Sequence, residues 1–304
     1  EDKLVIGVAS SALFELDEAD SVFREKGLAA YRAYQLEHQH DILKKGVAFP
    51  FVKRLLAMNK YYPDSQPVEV VLLSHNDPDT GLRGFNSIQP YKLNIIRAAF
   101  TTGDSPFKYI PAYNVSLFLS ANAADVRQAN AEGYAAGQVL ASTSEDSEED
   151  EGLRISFDFD GVIADDSAEY VYQKAGIDRF YEAEKARAAI PHSPGPLADL
   201  FAKLAKLRDL EDERAKHEPG YKRHIKTAIV TARSAPAHER VVTTLRAWNI
   251  NVDQTFFLGG MDKGRILAIL KPHIFFDDQV DPHLTSASHF TPSVYIPING
   301  GTLK

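Results

Sequence analysis

The stretch ISFDFDGVIADD, residues 155–166, puts two carboxylates two positions apart, Asp158 and Asp160, behind an apolar run, with Gly161 directly after them. The preceding LRISF has the length and apolar content of a buried strand, so the charges arrive where a strand leaves the core. Burying a carboxylate is costly unless an opposite charge or hydrogen-bond donors face it. Gly161 permits the tight backbone geometry that turns both acids into one crevice. Acids at a strand end also serve as helix caps, so the rest of the chain has to decide between the two readings.

Three more apolar runs end in polar groups. KTAIVTARS, residues 226–234, delivers Thr231, whose hydroxyl can bond an anionic oxygen, and Arg233 two residues on. FFLGGMDKG, residues 256–264, is a strand and a glycine turn leading to Lys263 near a predicted helix start, where a cation and the helix dipole both favour phosphate. HIFFDDQ, residues 273–279, places Asp277 and Asp278 side by side, a pair that needs a cation or hydrogen bonds to compensate it. Oxygen ligands alone point to magnesium rather than zinc.

Short apolar strands alternating with amphipathic helices such as LADLFAKLAKL predict an α/β fold with a doubly wound, Rossmann-like parallel sheet. In such sheets functional groups gather beyond the carboxyl ends of the strands, where each of these motifs falls.

The acidic run EDSEEDE, residues 145–151, lies within a polar segment without periodicity, 142–152. It reads as a linker between an N-terminal α/β domain, 1–141, and a catalytic domain, 153–304; a solvated surface loop is the alternative. The same order of elements recurs on both sides. An offset of 149 lays IGVASSALFELD over ISFDFDGVIADD, and an offset of 157 lays VVLLSHND over TAIVTARS and SLFLSAN over HIFFDDQ. Either the chain is duplicated or two α/β units share general patterning. At the chemical positions the first half carries Ala9, Ser11, Pro106, Ser120 and Ala121 in place of Asp158, Asp160, Lys263, Asp277 and Asp278. A duplication would therefore make the first half a degenerate copy, catalytically empty.

Composition excludes several classes. Hydrophobic content of 44% with 25% charged residues is that of a globular protein. The net charge of −8 lies mostly in the acidic run, and no broad basic face is implied, so a nucleic acid polymer is not an expected partner. The absence of cysteine removes disulfides, thiolate nucleophiles and cysteine-based zinc sites. No run approaches the roughly 18 apolar residues of a membrane helix, and the start EDKLVIGVAS lacks the order of a signal peptide; a cytoplasmic protein without a membrane partner is expected. His38 and His40 of EHQH lie two apart on a predicted helix and face different ways, as surface histidines do. Loops of the type G-x-x-x-x-G-K-[ST], G-x-G-x-x-G and H-E-x-x-H are missing, which leaves ATPase, dehydrogenase and zinc-protease readings unsupported.

The order D-x-D, T, K and DD, each after its own strand, resembles the haloacid dehalogenase (HAD) superfamily of phosphohydrolases. The stretches SSALFELDE, YQLEH, AFPFVK, FNSIQPY, LFLSANA, DRFYEAEKA, TARSA, LRAWNI and PHIFFDDQ, spread over most of the chain, are similar to the cytosolic type I 5'-nucleotidases. That resemblance implies magnesium-dependent hydrolysis of a nucleoside monophosphate, typically AMP. It implies Asp158 as the nucleophile that becomes an aspartyl phosphate and Asp160 as general acid and base. Thr231 and Lys263 would hold the phosphate oxygens. Magnesium would be bound by Asp158, the Asp160 backbone carbonyl and Asp277 or Asp278. The family also allows a homo-oligomer.

Substrate choice is expected from the insert after the first motif, a small helical cap at about 165–195. Ser167 and Arg233 are candidate substrate contacts, and Phe180 and Tyr181 either stack on a base or pack in the core. The competing readings are a phosphatase of the same superfamily acting on another phosphomonoester, a phosphotransferase, and a non-catalytic nucleotide-binding regulatory protein.

Overall fold

The computed structural model describes residues 3–147 and 149–298; Glu148, inside the acidic stretch, and the two chain ends lie outside the described residues. The chain divides into two compact units, Glu1–Val139 and Leu140–Lys304. Beyond this division Ser142 Oγ donates to the Ser288 carbonyl at 2.8 Å, and Asp150 pairs with Arg154 at 2.6 Å. Both described ends of the acidic stretch are thus tied down within the second unit.

In the first unit β1 (Leu4–Val8), β2 (Val68–Ser74), β3 (Arg97–Phe100), β4 (Leu117–Ser120) and β5 (Ala136–Val139) lie in the order β3-β2-β1-β4-β5, all parallel. In the second, β6 (Leu153–Phe157), β7 (Ile225–Thr231), β8 (Gln254–Phe257), β9 (Ile274–Asp277) and β10 (Ser293–Tyr295) lie in the order β10-β9-β6-β7-β8, again parallel. Counted from its own first strand, each unit has the same order. The two sequence offsets carry β1 onto β6 and β2, β3 and β4 onto β7, β8 and β9, with matching ends.

The long helices Asp17–Glu37 and Ser167–Ala186 share a further feature. Each is interrupted at a glycine, Gly27 or Gly176, with φ of +79°. A Cβ at either position would meet nothing within 4 Å, so the backbone conformation and not crowding calls for glycine.

The core of the second unit forms where β6 and β9 place large rings side by side. Phe157 stacks on Phe276 with centroids 5.2 Å apart, and Phe201 meets Phe157 edge-on at 5.1 Å. Phe201 belongs to the helix Ala198–His217, whose Leu200, Leu204 and Leu207 are buried with it, as the spacing of LADLFAKLAKL predicts. The far end of that helix anchors the next strand. Glu211, with no exposed surface, accepts from the backbone N–H of His224 at 2.7 Å and of Ile225 at 2.9 Å, and from the Tyr221 hydroxyl at 2.9 Å. Glu211→Ala is therefore expected to cost about 2–4 kcal/mol, because it removes the acceptor from several buried donors at once. A denaturant midpoint lowered at unchanged slope would show it.

The architecture also locates the site. From β6 the chain moves to β7 and β8 on one side and later to β9 and β10 on the other, so the strand order reverses at β6. In an open parallel sheet the crevice beyond the carboxyl end of such a strand is open to a ligand. Among the described residues no helix is long and apolar enough to cross a membrane.

Candidate active site

The chain leaves β6 at Phe157, and the N–H of Asp158 still donates to the Phe276 carbonyl at 2.8 Å, so the first carboxylate is held in line with the sheet. Asp158 is 4% exposed. Its Oδ1 accepts the N–H of Phe159 at 2.7 Å, and its Oδ2 lies 2.7 Å from Lys263 Nζ. Gly161, at φ +71°, makes the turn after Asp160; a Cβ there would stand 2.4 Å from an oxygen of Asp278. Glycine is required here both by conformation and by the close approach of the second acidic pair.

Lys263 directly precedes the helix Gly264–Leu270 and is 1% exposed. Its ammonium is shared between Asp158 and Asp277, 2.7 Å from each. Asp277, the last residue of β9, uses its other oxygen to accept from the Gln279 N–H at 2.9 Å and to face His283 Nδ1 at 3.2 Å. Asp278, the next residue, has a buried Oδ1 without a hydrogen-bond partner. Thr231 closes β7, buried, and its hydroxyl accepts the N–H of Arg233 at 3.2 Å.

One lysine against three acids leaves this cluster short of positive charge. Burial pushes the Asp158 carboxyl up to about 7; Lys263 pulls it down, and Asp277 and Asp160 push it up further. Burial, then Asp158 and Asp277, push Asp278 up to about 9. Burial works against the ionised form of Asp277 as well, but Lys263 and His283 outweigh it and hold its pKa below the ordinary value. Lys263 stays firmly charged, because Asp158 and Asp277 outweigh the cost of burying it. Like charges packed together and a carboxylate oxygen left without a partner are the conditions a hard divalent ion relieves. Donor atoms of Asp158, Asp277 and His283 lie within 4.8 Å of one another, but both oxygens of Asp277 are already engaged by protein groups. Asp278 has the free oxygen.

On the other side of Asp158, Asp160 meets Arg233 through two hydrogen bonds, Nε to Oδ2 at 2.7 Å and Nη2 to Oδ1 at 2.6 Å. Arg233 is buried, and its guanidinium lies 5.5 Å from the centroid of the Phe180 ring. That ring is 8% exposed and packs with Ala168 and Ala237. Tyr181 is half-buried, its hydroxyl 2.8 Å from Ser234 Oγ. Ser167 donates to Asp165 Oδ1 at 2.8 Å.

The structure thus brings Asp158, Lys263, Asp277 and Asp278 into one cluster and sets Asp160 with Arg233 beside it. Phe180 and Tyr181 lie on the Arg233 side. Sequence reading misses Glu184, His192 and His283, which meet Arg233 or Asp277, and Arg240, which meets Glu184. His283, six residues past Asp277, carries a faint signal; the other three carry none.

The family model described as 5'-nucleotidase matches residues 1–302. Cytosolic 5'-nucleotidase 1B of Homo sapiens is 34% identical over 290 residues, 92% of this chain and 46% of that protein. The chain thus spans about half the length of this curated relative. A solved structure titled "S. aureus MnaA-UDP co-structure" is 10% identical, covers 91% of this chain and 74% of its own, and has a TM-score of 0.19, a value that carries no argument. A match over almost the whole length and a relative above 30% identity agree with the motifs at the ends of β6, β7 and β9: the chain belongs to the 5'-nucleotidase family, on its cytosolic type I branch.

Proposed function

We propose that this chain hydrolyses nucleoside 5'-monophosphates to nucleoside and phosphate, with AMP as the substrate to test first and magnesium as the cofactor. The observation that carries this reading is Lys263, held 2.7 Å from both Asp158 and Asp277 beside the unpartnered oxygen of Asp278. It is a cation-deficient acidic pocket at the carboxyl end of the central strand. A dianionic ester alone would be repelled from it; an ester together with a divalent ion would not.

In the proposed reaction a carboxylate oxygen of Asp158 attacks the phosphorus, and the bond from phosphorus to the 5' oxygen breaks. Asp160 gives that oxygen its proton, so the nucleoside leaves as an alcohol. Water then attacks the aspartyl phosphate, Asp160 takes a proton from it, and the bond between phosphorus and Asp158 breaks to release phosphate. Lys263 and Thr231 hold the non-bridging oxygens and offset their charge. Asp158, Asp278 and the backbone carbonyl of Asp160 would hold magnesium, which supplies the positive charge that lets a carboxylate approach a phosphate. Dividing the work among several groups fits the size of the task, since phosphate monoesters hydrolyse so slowly that on the order of 20 kcal/mol must be removed from the barrier.

The helix Ser167–Ala186 stands in the insert assigned to a cap, and we read the first unit as a degenerate copy of the second. The shared strand order, the paired glycine interruptions and the loss of each acid and of the lysine support that reading. That the human relative is a cytosolic 5'-nucleotidase supports a cytoplasmic location for this chain too.

Phosphate release should be measured across the common nucleoside 5'-monophosphates, with magnesium and with a chelator, and with and without an acceptor nucleoside. Release from AMP that disappears with the chelator and is not diverted to the acceptor is expected. Turnover of other phosphomonoesters only, or transfer to the acceptor in place of release, would overturn the assignment.

A further inference from the structure

Arg233 is fully engaged. A guanidinium offers five N–H donors in a rigid fork, and all three of its nitrogens donate to a carboxylate here. Nε and Nη2 donate to the two oxygens of Asp160 at 2.7 and 2.6 Å, and Nη2 also lies 3.0 Å from His192 Nε2. Nη1 serves the Ala237 carbonyl at 3.1 Å and the carboxylate of Glu184. His192 Nδ1 faces Asp165 Oδ1 at 3.4 Å. The second oxygen of Glu184 accepts from Arg240 at 2.7 Å, and Arg240 is fixed in turn by the Ile190 carbonyl at 2.8 Å.

Glu184 is 3% exposed and lies in the last turn of the helix Ser167–Ala186. It is a buried carboxylate between two arginines, and His192 and Arg233 together outweigh the cost of burial to hold it down at about 2. A planar fork meeting a carboxylate through two parallel bonds sets the plane and direction of that carboxylate, which a lysine or a water cannot do. Lys263 has its carboxylate partners elsewhere, in Asp158 and Asp277. Two cations thus divide two tasks, one beside the nucleophile and one beside the acid.

We propose that Arg233 and Glu184 are positioning residues for Asp160: Glu184 anchors the Arg233 fork, and the fork sets where the Asp160 carboxyl stands. This inference rests on the reading of Asp160 as general acid and base. An oxygen that carries a proton accepts more weakly from the fork than an ionised one, so Asp160 loosens one arm of the fork when it is protonated to serve the leaving oxygen. Glu184, His192 and the Ala237 carbonyl keep the guanidinium in place while it does. The last turn of the insert helix thereby becomes part of the apparatus that aims the proton.

The test uses leaving groups. A nucleoside leaves as a poor alkoxide that needs its proton, whereas p-nitrophenolate leaves without one. The ratio kcat/KM reports the step in which that bond breaks, so Glu184→Gln is expected to lower kcat/KM for a nucleoside 5'-monophosphate about 10- to 100-fold and for p-nitrophenyl phosphate by less than about 3-fold. Arg233→Lys, which keeps the charge and loses the fork, carries the same expectation should Glu184→Gln fail to fold. Equal losses on both substrates, or no loss on either, overturn the proposal. Asp160→Asn is run alongside. If it shows the leaving-group selectivity and the two positioning variants do not, the positioning role alone fails; if Asp160→Asn lacks it too, the acid assignment fails and the proposal falls with it.

Discussion

Asp158→Asn is expected to lower phosphate release from a nucleoside 5'-monophosphate by about 10⁴-fold or more, as loss of a nucleophile does in enzymes that work through a covalent intermediate. Asparagine has nearly the shape of aspartate but cannot form the acyl phosphate. The fold is expected to survive, because Lys263 keeps Asp277 as a partner at 2.7 Å. Stability offers an independent check. The Asp158 carboxyl is pushed up to about 7 from an ordinary 3.8, so the folded protein binds this proton more tightly than the unfolded chain. The resulting stabilisation is fully present below the unfolded pKa and is lost as pH rises through the folded one. Asparagine does not ionise. The melting temperature of the variant relative to the parent should therefore move in the variant's favour between pH 5 and pH 8. Phosphate release within a few-fold of the parent would remove Asp158 from the mechanism.

Asp278→Asn should act in two opposite directions. Activity is expected to fall about 10²-fold or more, the scale on which one electrostatic contact to a phosphoryl group matters. Stability without divalent ions is expected to rise. Burial and the neighbouring Asp158 and Asp277 push the Asp278 carboxyl up to about 9 from an ordinary 3.8. Its raised folded pKa means that stability is highest below the unfolded value and declines as pH climbs toward 9. An asparagine at that position escapes the decline, and a gain of about 3 °C or more in melting temperature at pH 8 follows if roughly 1 kcal/mol is recovered. Magnesium should raise the melting temperature of the parent and leave that of the variant nearly unchanged. Asp277→Asn is the contrast, since it weakens bonds to Lys263, Gln279 and His283 and should destabilise at any pH where those bonds form. If magnesium stabilises the Asp278 variant as much as the parent, the ion is held elsewhere.

The two expectations draw on different information. That charge is short around Asp158 follows from acids at the ends of β6 and β9, and local sequence already displays those acids. That Asp278 and not Asp277 has the oxygen to spare follows from Lys263 and His283 closing on Asp277, and adjacent residues of one type give no hint of it.

The linear chain by itself determined the parallel α/β architecture, the four polar motifs that follow strands and the offsets of 149 and 157 at which strand bounds coincide, because strand alternation, helical spacing and a glycine after a turn are written in neighbouring residues. It placed Lys263 near a helix start as a cation for phosphate; its burial between two carboxylates is a property of the packed sheet. Only the tertiary structure decided that Arg233 pairs with Asp160, that Phe180 lies beside that arginine, and that Glu184, Arg240 and His192 gather around it. The physical reason is distance along the chain. These contacts join residues brought together when helices close over the sheet, and a side chain's partners there are set by packing geometry, of which composition and periodicity hold no record.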